Sequence, residues 1–265
     1  VMTNAVYNTA PRDGTVIGGA INGMTTAPLV TPEVVKFDLG KLIWIGSTNH
    51  DIQITYLWHT SPVRTLQDLL SQEVVVGATA AGTTHVDYPL VARALFGLKF
   101  KLVSGYPGTA PVHIAMERGE VAGFGANGWL ALKALKAEWI AEKKVNIVMQ
   151  YAMSRSPVFP DVPAIGELAT NDADRRAIEM MVTRLQFGRP FFLPPDVPAA
   201  RVEALRRAFD ATMKDHEYLA EAEKARLDVA PMKGEDIGPL VAKVMATPPE
   251  IVARVRAALA DGAKK

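Results

Sequence analysis

The feature that most constrains the fold of this chain is a repeated alternation of short apolar strands with helical segments. Residues 74–76 form a β-branched run that ends at Gly77, and after a glycine- and threonine-rich turn, residues 86–96 have helical spacing. Residues 100–103 begin a second unit, whose loop opens a helix that stops at Gly119. Strands that alternate with helices of this length predict an α/β fold with mostly parallel sheets and helices on both faces.

Further segments extend the pattern along the chain. Thr65 begins a Thr-x-x-Asp capping box, and Thr247 begins a second one that opens the last helix. The length of 265 residues suits one large domain or two small ones. We expect further strands at residues 15–19, 42–46, 52–58, 121–124 and 145–150. We expect a first lobe at residues 1–75, a second lobe at 76–188, and a return to the first lobe with C-terminal helices at 189–265.

Composition excludes several classes of partner and site. Lys and Arg total 29 against 28 for Asp and Glu, so the net charge of +1 does not favour nucleic acid or an acidic membrane surface. The chain has no cysteine, which excludes disulfides, thiolate metal sites and a cysteine nucleophile. No stretch approaches the ~20 apolar residues of a spanning helix. Residues 1–9 read as the tail of a helix without a start signal, so we expect an N-terminal segment to be missing.

Motifs of enzymes and cofactor sites are absent from the sequence. It contains no phosphate-binding P-loop, dinucleotide fingerprint, nucleophile elbow or His-Glu-x-x-His pair. The five histidines are scattered along the chain, so nothing predicts a metal site. We therefore expect no cofactor and no metal, and among the histidines only His85 stands in a segment that suggests a ligand role.

Two loops at predicted helix N-termini are the strongest functional signal. Residues 77–85 present small residues, Thr83, Thr84 and His85 after a buried strand, and residues 104–109 do the same after the next strand with an added tyrosine. Backbone N–H groups at a helix start are unpaired and attract anions, and ligands of open α/β sheets gather at strand C-termini. The structural alternative is that Thr83 or Thr84 caps its helix, with Asp87 completing the box.

The free energies involved indicate that both loops must contribute to anion binding. Burying a carboxylate costs several kcal/mol, whereas one helix dipole returns about 0.3–1 kcal/mol and at most about 2. Two helix ends with several charge-assisted hydrogen bonds of about 1.5–3 kcal/mol each reach the ~8 kcal/mol of a micromolar complex. The hydroxyls of Thr83, Thr84 and Thr109, with the adjoining backbone N–H groups, are predicted to hold a carboxylate without an arginine.

The order of short motifs resembles one family of receptors. These motifs are Ala-Pro-Arg-Asp-Gly-Thr at 10–15, Phe-Asp at 37–38, Gly77-x5-Thr-Thr-His, Gly-Tyr-Pro-Gly at 105–108, Arg-Gly-Glu-Val at 118–121 and Phe-Pro-Asp-Val-Pro at 159–163. Together they are similar to the Bug, or TctC-type, extracytoplasmic receptors of tripartite tricarboxylate transporters. The resemblance implies a two-lobed periplasmic-binding-protein fold of type II, whose interlobe cleft closes on a small organic acid.

It further implies a periplasmic monomer that delivers its ligand to inner-membrane permease subunits. Relatives begin with a first strand and a glycine-rich ligand loop that are not present here. The positions matching the family's ligand loops are Thr79, Gly82, Thr83, Thr84, His85, Tyr106, Gly108 and Thr109, with Asn22 in the first lobe and Asn127 after a later strand as further donors.

Two alternatives to a binding protein stay open. One is a small-molecule enzyme of α/β fold, prephenate-dehydratase-like or acting on a phosphate ester, that uses His85 as general base; only Asp87, two residues away, offers an orienting acid. The other is an effector domain of LysR type, which shares the two-lobed fold and would be distinguished by a linked DNA-binding domain.

Overall fold

The chain forms two compact units. The computed structural model describes residues 2–19, 22–225 and 227–262, without the side chains of Asn22 and Asp261. One unit contains the chain up to Asp51 together with Thr183–Pro248, and the other contains Ile52–Val182 and the chain from Pro249 onward. We call these unit 1 and unit 2.

These bounds differ from the predicted lobes of 1–75, 76–188 and 189–265. The chain enters unit 2 at Ile52 because the strand that follows, Gln53–Trp58, pairs with two strands of the unit 2 sheet. The last helix, expected to return to the first lobe, belongs to unit 2.

Helices and strands alternate along the chain as the sequence pattern indicates. The strands are β1 Gly18–Gly19, β2 Ile43–Ser47, β3 Gln53–Trp58, β4 Val74–Gly77, β5 Phe100–Val103, β6 Gly123–Gly128, β7 Val145–Gln150, β8 Pro190–Leu193 and β9 Met232–Lys233. The α-helices are α1 Met2–Thr9, α2 Ala27–Val30, α3 Leu66–Ser71, α4 Thr84–Phe96, α5 Thr109–Glu117, α6 Trp129–Ala141, α7 Asp172–Thr183, α8 Ala199–Thr212, α9 His216–Lys224, α10 Gly234–Met245 and α11 Pro249–Gly262. No helix in the described ranges combines the length and the apolar character needed to cross a membrane.

Unit 1 contains a four-stranded sheet in the order β1-β8-β2-β9, and every described pairing in it is antiparallel. Trp44 of β2 and Phe192 of β8 are buried and meet edge to face, with ring centroids 6.0 Å apart. Helix α10 packs against β2 and contributes Ile237 and Val241 to the same core.

Unit 2 contains a five-stranded sheet in the order β5-β4-β6-β3-β7. Strands β5, β4 and β6 are parallel, as predicted for strand-loop-helix units, whereas β3 is antiparallel to both of its neighbours. The pairing is thus mixed rather than mostly parallel, because β3 enters the sheet from unit 1 and not through a helical crossover. Ile54, Tyr56 and Phe124 lie in the main core of the unit, together with Val112 and Met116 of α5.

Two further contacts complete unit 2. Helix α11 packs against α4, where Leu259 contacts the cluster of Ala78, Val86 and Leu90. The predicted capping box at Thr65 is present, since the Thr65 side chain accepts a hydrogen bond from the N–H of Asp68 and the Asp68 side chain accepts one from the N–H of Thr65.

Candidate functional site

The two predicted ligand loops lie side by side at one edge of the unit 2 sheet. Because β4 and β5 are parallel neighbours, their carboxyl ends meet at the same edge. The N–H of Gly105 donates to the carbonyl of Thr79 at 3.1 Å, and the N–H of Tyr106 donates to the carbonyl of Ala78 at 3.3 Å. We call residues 78–83 loop A and residues 104–108 loop B. Their backbones are joined by these two hydrogen bonds.

Loop A is shaped by a left-handed turn and by internal hydrogen bonds. Gly82 has a φ of 81°, a conformation that glycine adopts at no steric cost. Its N–H donates to the Asp87 carboxylate at 3.2 Å, and the Thr83 hydroxyl donates to the carbonyl of Ala80 at 2.7 Å. Asp87 thus supports the turn, but Thr83 makes no side-chain cap to the helix. The N–H groups of Thr84 and His85 have no partner within α4 because they lie in its first turn.

Loop B leads into α5 in a similar way. Gly105 has a φ of 104°, whereas Gly108 is extended with a φ of 174°. Tyr106 is half-buried and packs against the unit 2 core. Thr109 and Ala110 begin α5, so their N–H groups also lack a partner within the helix. Thr109 is half-buried, as is Thr84 at the start of α4.

Close packing beneath the loops places α5 against the end of β4. A Cβ added to Gly77, at the end of β4, would lie 2.4 Å from Cγ1 of Val112 in α5. Only a glycine lets this strand end approach α5 so closely. Gly77 therefore helps to set where α5 begins relative to loop A.

His85 is held by hydrogen bonds at both ring nitrogens. Its Nδ1 lies 2.9 Å from the Thr79 hydroxyl, which in turn lies 3.1 Å from the Thr83 hydroxyl. Its Nε2 lies 3.0 Å from Oδ1 of Asn127. Asn127 was expected as a ligand donor that follows its strand, but it lies within β6, where it is buried. The partner of His85 is this amide rather than Asp87.

Behind Asn127, the chain of contacts continues into the core. Nδ2 of Asn127 donates to the Tyr56 hydroxyl at 2.8 Å, and that hydroxyl lies 2.8 Å from Nε2 of His113. Sequence reasoning treated His113 as an ordinary histidine and did not single out Tyr56. A tyrosine hydroxyl within the predicted strand at residues 52–58 and a histidine on the apolar face of α5 were the available signals.

Burial determines the charge states of the titratable residues in this hydrogen-bonded series. It lowers the pKa of His85, and the hydrogen bond that His85 Nε2 donates to Oδ1 of Asn127 opposes that shift. Burial also lowers the pKa of His113 to about 4, assisted by the positive charge of Lys136. The pKa of Tyr56 is raised by burial, although the Asn127 hydrogen bond acts in the opposite direction. At neutral pH, His85, His113 and Tyr56 are all uncharged when no anion is near.

Asn22 lies in unit 1, in a 3-10 helix over Asn22–Thr25, and its side chain is outside the described part. The other predicted site residues all belong to unit 2: Thr79, Gly82, Thr83, Thr84, His85, Tyr106, Gly108, Thr109 and Asn127. Among the described residues, no three acidic, histidine or cysteine side chains are grouped so that they could hold a metal ion.

The arrangement presents unpaired backbone donors from two helices together with hydroxyls. Thr84 and Thr109 make no side-chain hydrogen bond within the described residues, so their hydroxyls can donate to an anion. The Thr83 hydroxyl, which was expected to donate as well, is already bonded to Ala80. These backbone and hydroxyl donors suit a carboxylate. The same site also places the neutral His85 next to the Thr79 hydroxyl.

Comparison with known proteins identifies the fold. No protein-family model matches the chain, and no curated protein matches it. A TctC solute-binding protein from Polaromonas, solved without ligand, has a TM-score of 0.68 at 18% identity over 94% of this chain and 81% of that one. The periplasmic binding protein BugD gives 0.65 at 18% identity over 97% and 82%. MatC from Rhodopseudomonas palustris with bound malate gives 0.65 at 17% identity over 97% and 83%. The chain therefore has the fold of the TctC- and Bug-type periplasmic solute-binding proteins, as its motifs implied.

Proposed function

We propose that this protein is a solute-binding protein, not an enzyme, that captures a small carboxylate at loops A and B. The observation that carries the proposal is the pair of backbone hydrogen bonds between the two loops, from Gly105 to Thr79 and from Tyr106 to Ala78. Because each loop leads into a helix, these bonds hold two helix N-termini at one sheet edge. The fold shared with MatC, which was solved with malate, supports a carboxylate ligand. In the periplasm, the protein would pass its ligand as a monomer to the permease subunits of a tripartite transporter.

The donors divide into two groups. The hydroxyls of Thr84 and Thr109 and the first-turn N–H groups of α4 and α5 donate to the carboxylate. Each such charge-assisted bond contributes about 1.5–3 kcal/mol, so four of them provide roughly the 8 kcal/mol of a micromolar complex. The protons of the Thr79 and Thr83 hydroxyls are already used by His85 and by the Ala80 carbonyl, so these two hydroxyls do not donate to the ligand.

Isothermal titration calorimetry with acetate, succinate, malate and citrate tests this proposal. We expect at least one of them to bind, and Thr84→Val and Thr109→Val each to weaken that binding by about 10- to 150-fold, the value of one lost charge-assisted bond. Thr170→Val, at an exposed position of unit 2, is the matched control and should bind as the wild type does. Absence of binding by every carboxylate, or unchanged affinity in both site variants, contradicts the proposal.

One observation favours the enzyme alternative. Thr79, His85 and Asn127 stand in the order of a nucleophile, a general base and an orienting group, with contacts of 2.9 and 3.0 Å. However, the orienting group is a neutral amide, which stabilises an imidazolium less than a carboxylate does. Turnover of an added carboxylic ester that disappears in His85→Ala, while carboxylate binding persists, would support the enzyme.

A further inference from the structure

The hydrogen bonds behind His85 restrict where its ring can carry a proton. Nδ2 of Asn127 donates to the Tyr56 hydroxyl, so Oδ1 of the same amide faces Nε2 of His85. An amide oxygen can only accept, and Nε2 must therefore carry a hydrogen in every charge state of the ring. Gain or loss of a proton at His85 is confined to Nδ1.

Nδ1 of His85 points at the candidate site rather than at the core. In the neutral ring, Nδ1 accepts from the Thr79 hydroxyl at 2.9 Å, and Thr83 donates to the carbonyl of Ala80. Both hydroxyl protons are then used, so the 3.1 Å contact between Thr79 and Thr83 contains no hydrogen bond.

Protonation of Nδ1 completes the network of loop A. Nδ1 then donates to the Thr79 oxygen, the Thr79 hydroxyl turns to donate to Thr83, and Thr83 continues to donate to Ala80. Every one of these contacts becomes a hydrogen bond, and the imidazolium has an acceptor at each nitrogen. The same surroundings thus accommodate the neutral and the charged ring, and the charged ring lacks only a counterion.

Charged and titratable groups on the helix of His85 and on neighbouring elements have partners of their own. Asp87, on its own helix, accepts from the N–H of Gly82. The groups on the neighbouring elements and their partners are Tyr56 of β3 with Asn127 and His113, Arg93 of α4 with the Phe100 carbonyl, Arg254 of α11 with Asp174, Lys101 of β5 with Glu73, and Lys136 of α6 with Glu117. Burial keeps His85 neutral in the absence of an anion. A carboxylate at loops A and B would reverse that balance by its charge.

We propose that His85 takes up one proton from solvent on Nδ1 when a carboxylate binds, and that Asn127 and Tyr56 are positioning residues that confine the proton to this atom. The inference rests on the proposed function and deepens it, because it makes ligand capture dependent on pH. The proton returns to solvent when the ligand leaves. Uptake of a proton strengthens binding as the pH falls, by up to about 10-fold per pH unit while His85 is neutral in the free protein and charged in the complex.

Calorimetry with acetate, succinate, malate and citrate at about pH 6.5–8.5 tests this inference, after correction for each ligand's own ionisation. Titrations in imidazole and in Tris, which are cationic buffers with different ionisation enthalpies and do not compete for an anion site, report the number of protons taken up per ligand. We expect uptake of up to one proton and tighter binding at the lower pH. Carboxylate binding with equal heats in both buffers and no pH dependence overturns the inference alone, whereas absence of any binding overturns the proposed function as well.

Variants separate a charge-setting role from a structural one. His85→Asn removes the titrating nitrogen and should abolish proton uptake, while His216→Asn, at an exposed position of unit 1, should leave it unchanged. Asn127→Asp places a carboxylate against Nε2, so His85 is charged before the ligand arrives and uptake at neutral pH disappears while binding persists. Uptake that survives in His85→Asn or in Asn127→Asp overturns the inference.

Tyr56→Phe tests the positioning role through the pH profile. Without the hydroxyl, Nδ2 of Asn127 loses the acceptor that fixes the amide, and the charged ring loses support at Nε2. We expect the profile of affinity against pH to move to lower pH, with circular dichroism unchanged. A purely structural effect would weaken binding equally at every pH, and that result overturns the role assigned to Tyr56.

Discussion

Substitution of Gly77 by alanine should push α5 away from β4. The added Cβ would lie 2.4 Å from Cγ1 and 3.2 Å from Cγ2 of Val112, whose side chain is fully buried. Carbon atoms in contact prefer about 3.5–4.0 Å, so strand and helix must separate by about 1 Å. Overpacking of this kind costs about 1–3 kcal/mol, and the lower chain entropy of alanine in the unfolded state returns about 0.4–1 kcal/mol. We expect a net loss of about 1–2 kcal/mol in the free energy of unfolding.

Urea denaturation followed by tryptophan fluorescence measures this loss. Three of the four tryptophans, Trp58, Trp129 and Trp139, belong to unit 2, so the signal reports mainly on the unit that is changed. Gly108→Ala is the matched control, because its backbone is extended and nothing lies within 4 Å of the added Cβ. Its unfolding free energy should stay within about 0.5 kcal/mol of the wild type.

The double variant Gly77→Ala with Val112→Ala isolates the clash. Removing the two methyl groups of Val112 creates space that the new Cβ can fill, so the two losses should not add. The double variant should be at least about 1 kcal/mol more stable than the sum of the single losses predicts. Full additivity, or a Gly77→Ala protein as stable as the wild type, would refute the packing argument.

Three other changes have expected outcomes. Arg254→Met leaves the buried Asp174 carboxylate without its partner cation, so urea denaturation should show a loss of about 1–3 kcal/mol. Arg155 holds the pKa of Glu167 down to about 2 from its usual 4.5; the stabilisation is therefore complete above about pH 4.5 and is lost as the pH falls towards 2. Consequently, Glu167→Gln should lower the thermal midpoint at pH 6 and leave it nearly unchanged at pH 2. Thr65→Ala removes a helix cap and should cost about 1 kcal/mol in the unfolding free energy, whereas no loss would show that the capping box contributes nothing.

Local patterns in the sequence predicted the strand-loop-helix units of unit 2. The β-branched run before Gly77 became β4, residues 86–96 lie in α4, and Thr65 caps α3 as expected. These predictions depend on residues a few positions apart, where propensity, periodicity and capping act. They do not depend on what the element packs against.

Sheet pairing could not be predicted in the same way. Residues 52–58 were expected to form a strand, but nothing in their alternation indicates that β3 lies antiparallel between β6 and β7. Helices α2, α6 and α7 were not predicted, and α9 and α10 were covered only by the general expectation of C-terminal helices at residues 189–265. Direction and partner of a strand are decided by which apolar faces meet in the core, and those faces come from distant parts of the chain.

For the candidate site, the sequence by itself determined the two loops, since the unpaired N–H groups at the starts of α4 and α5 follow from the local order of strand, turn and helix. Only the tertiary structure decided that loops A and B are bonded to each other and that Asn127 and Tyr56 stand behind His85. Asn127 lies 42 residues from His85 and 71 from Tyr56 along the chain. Hydrogen bonds of this kind form because sheet pairing has already placed the side chains within reach, and no local property of the sequence encodes that distance.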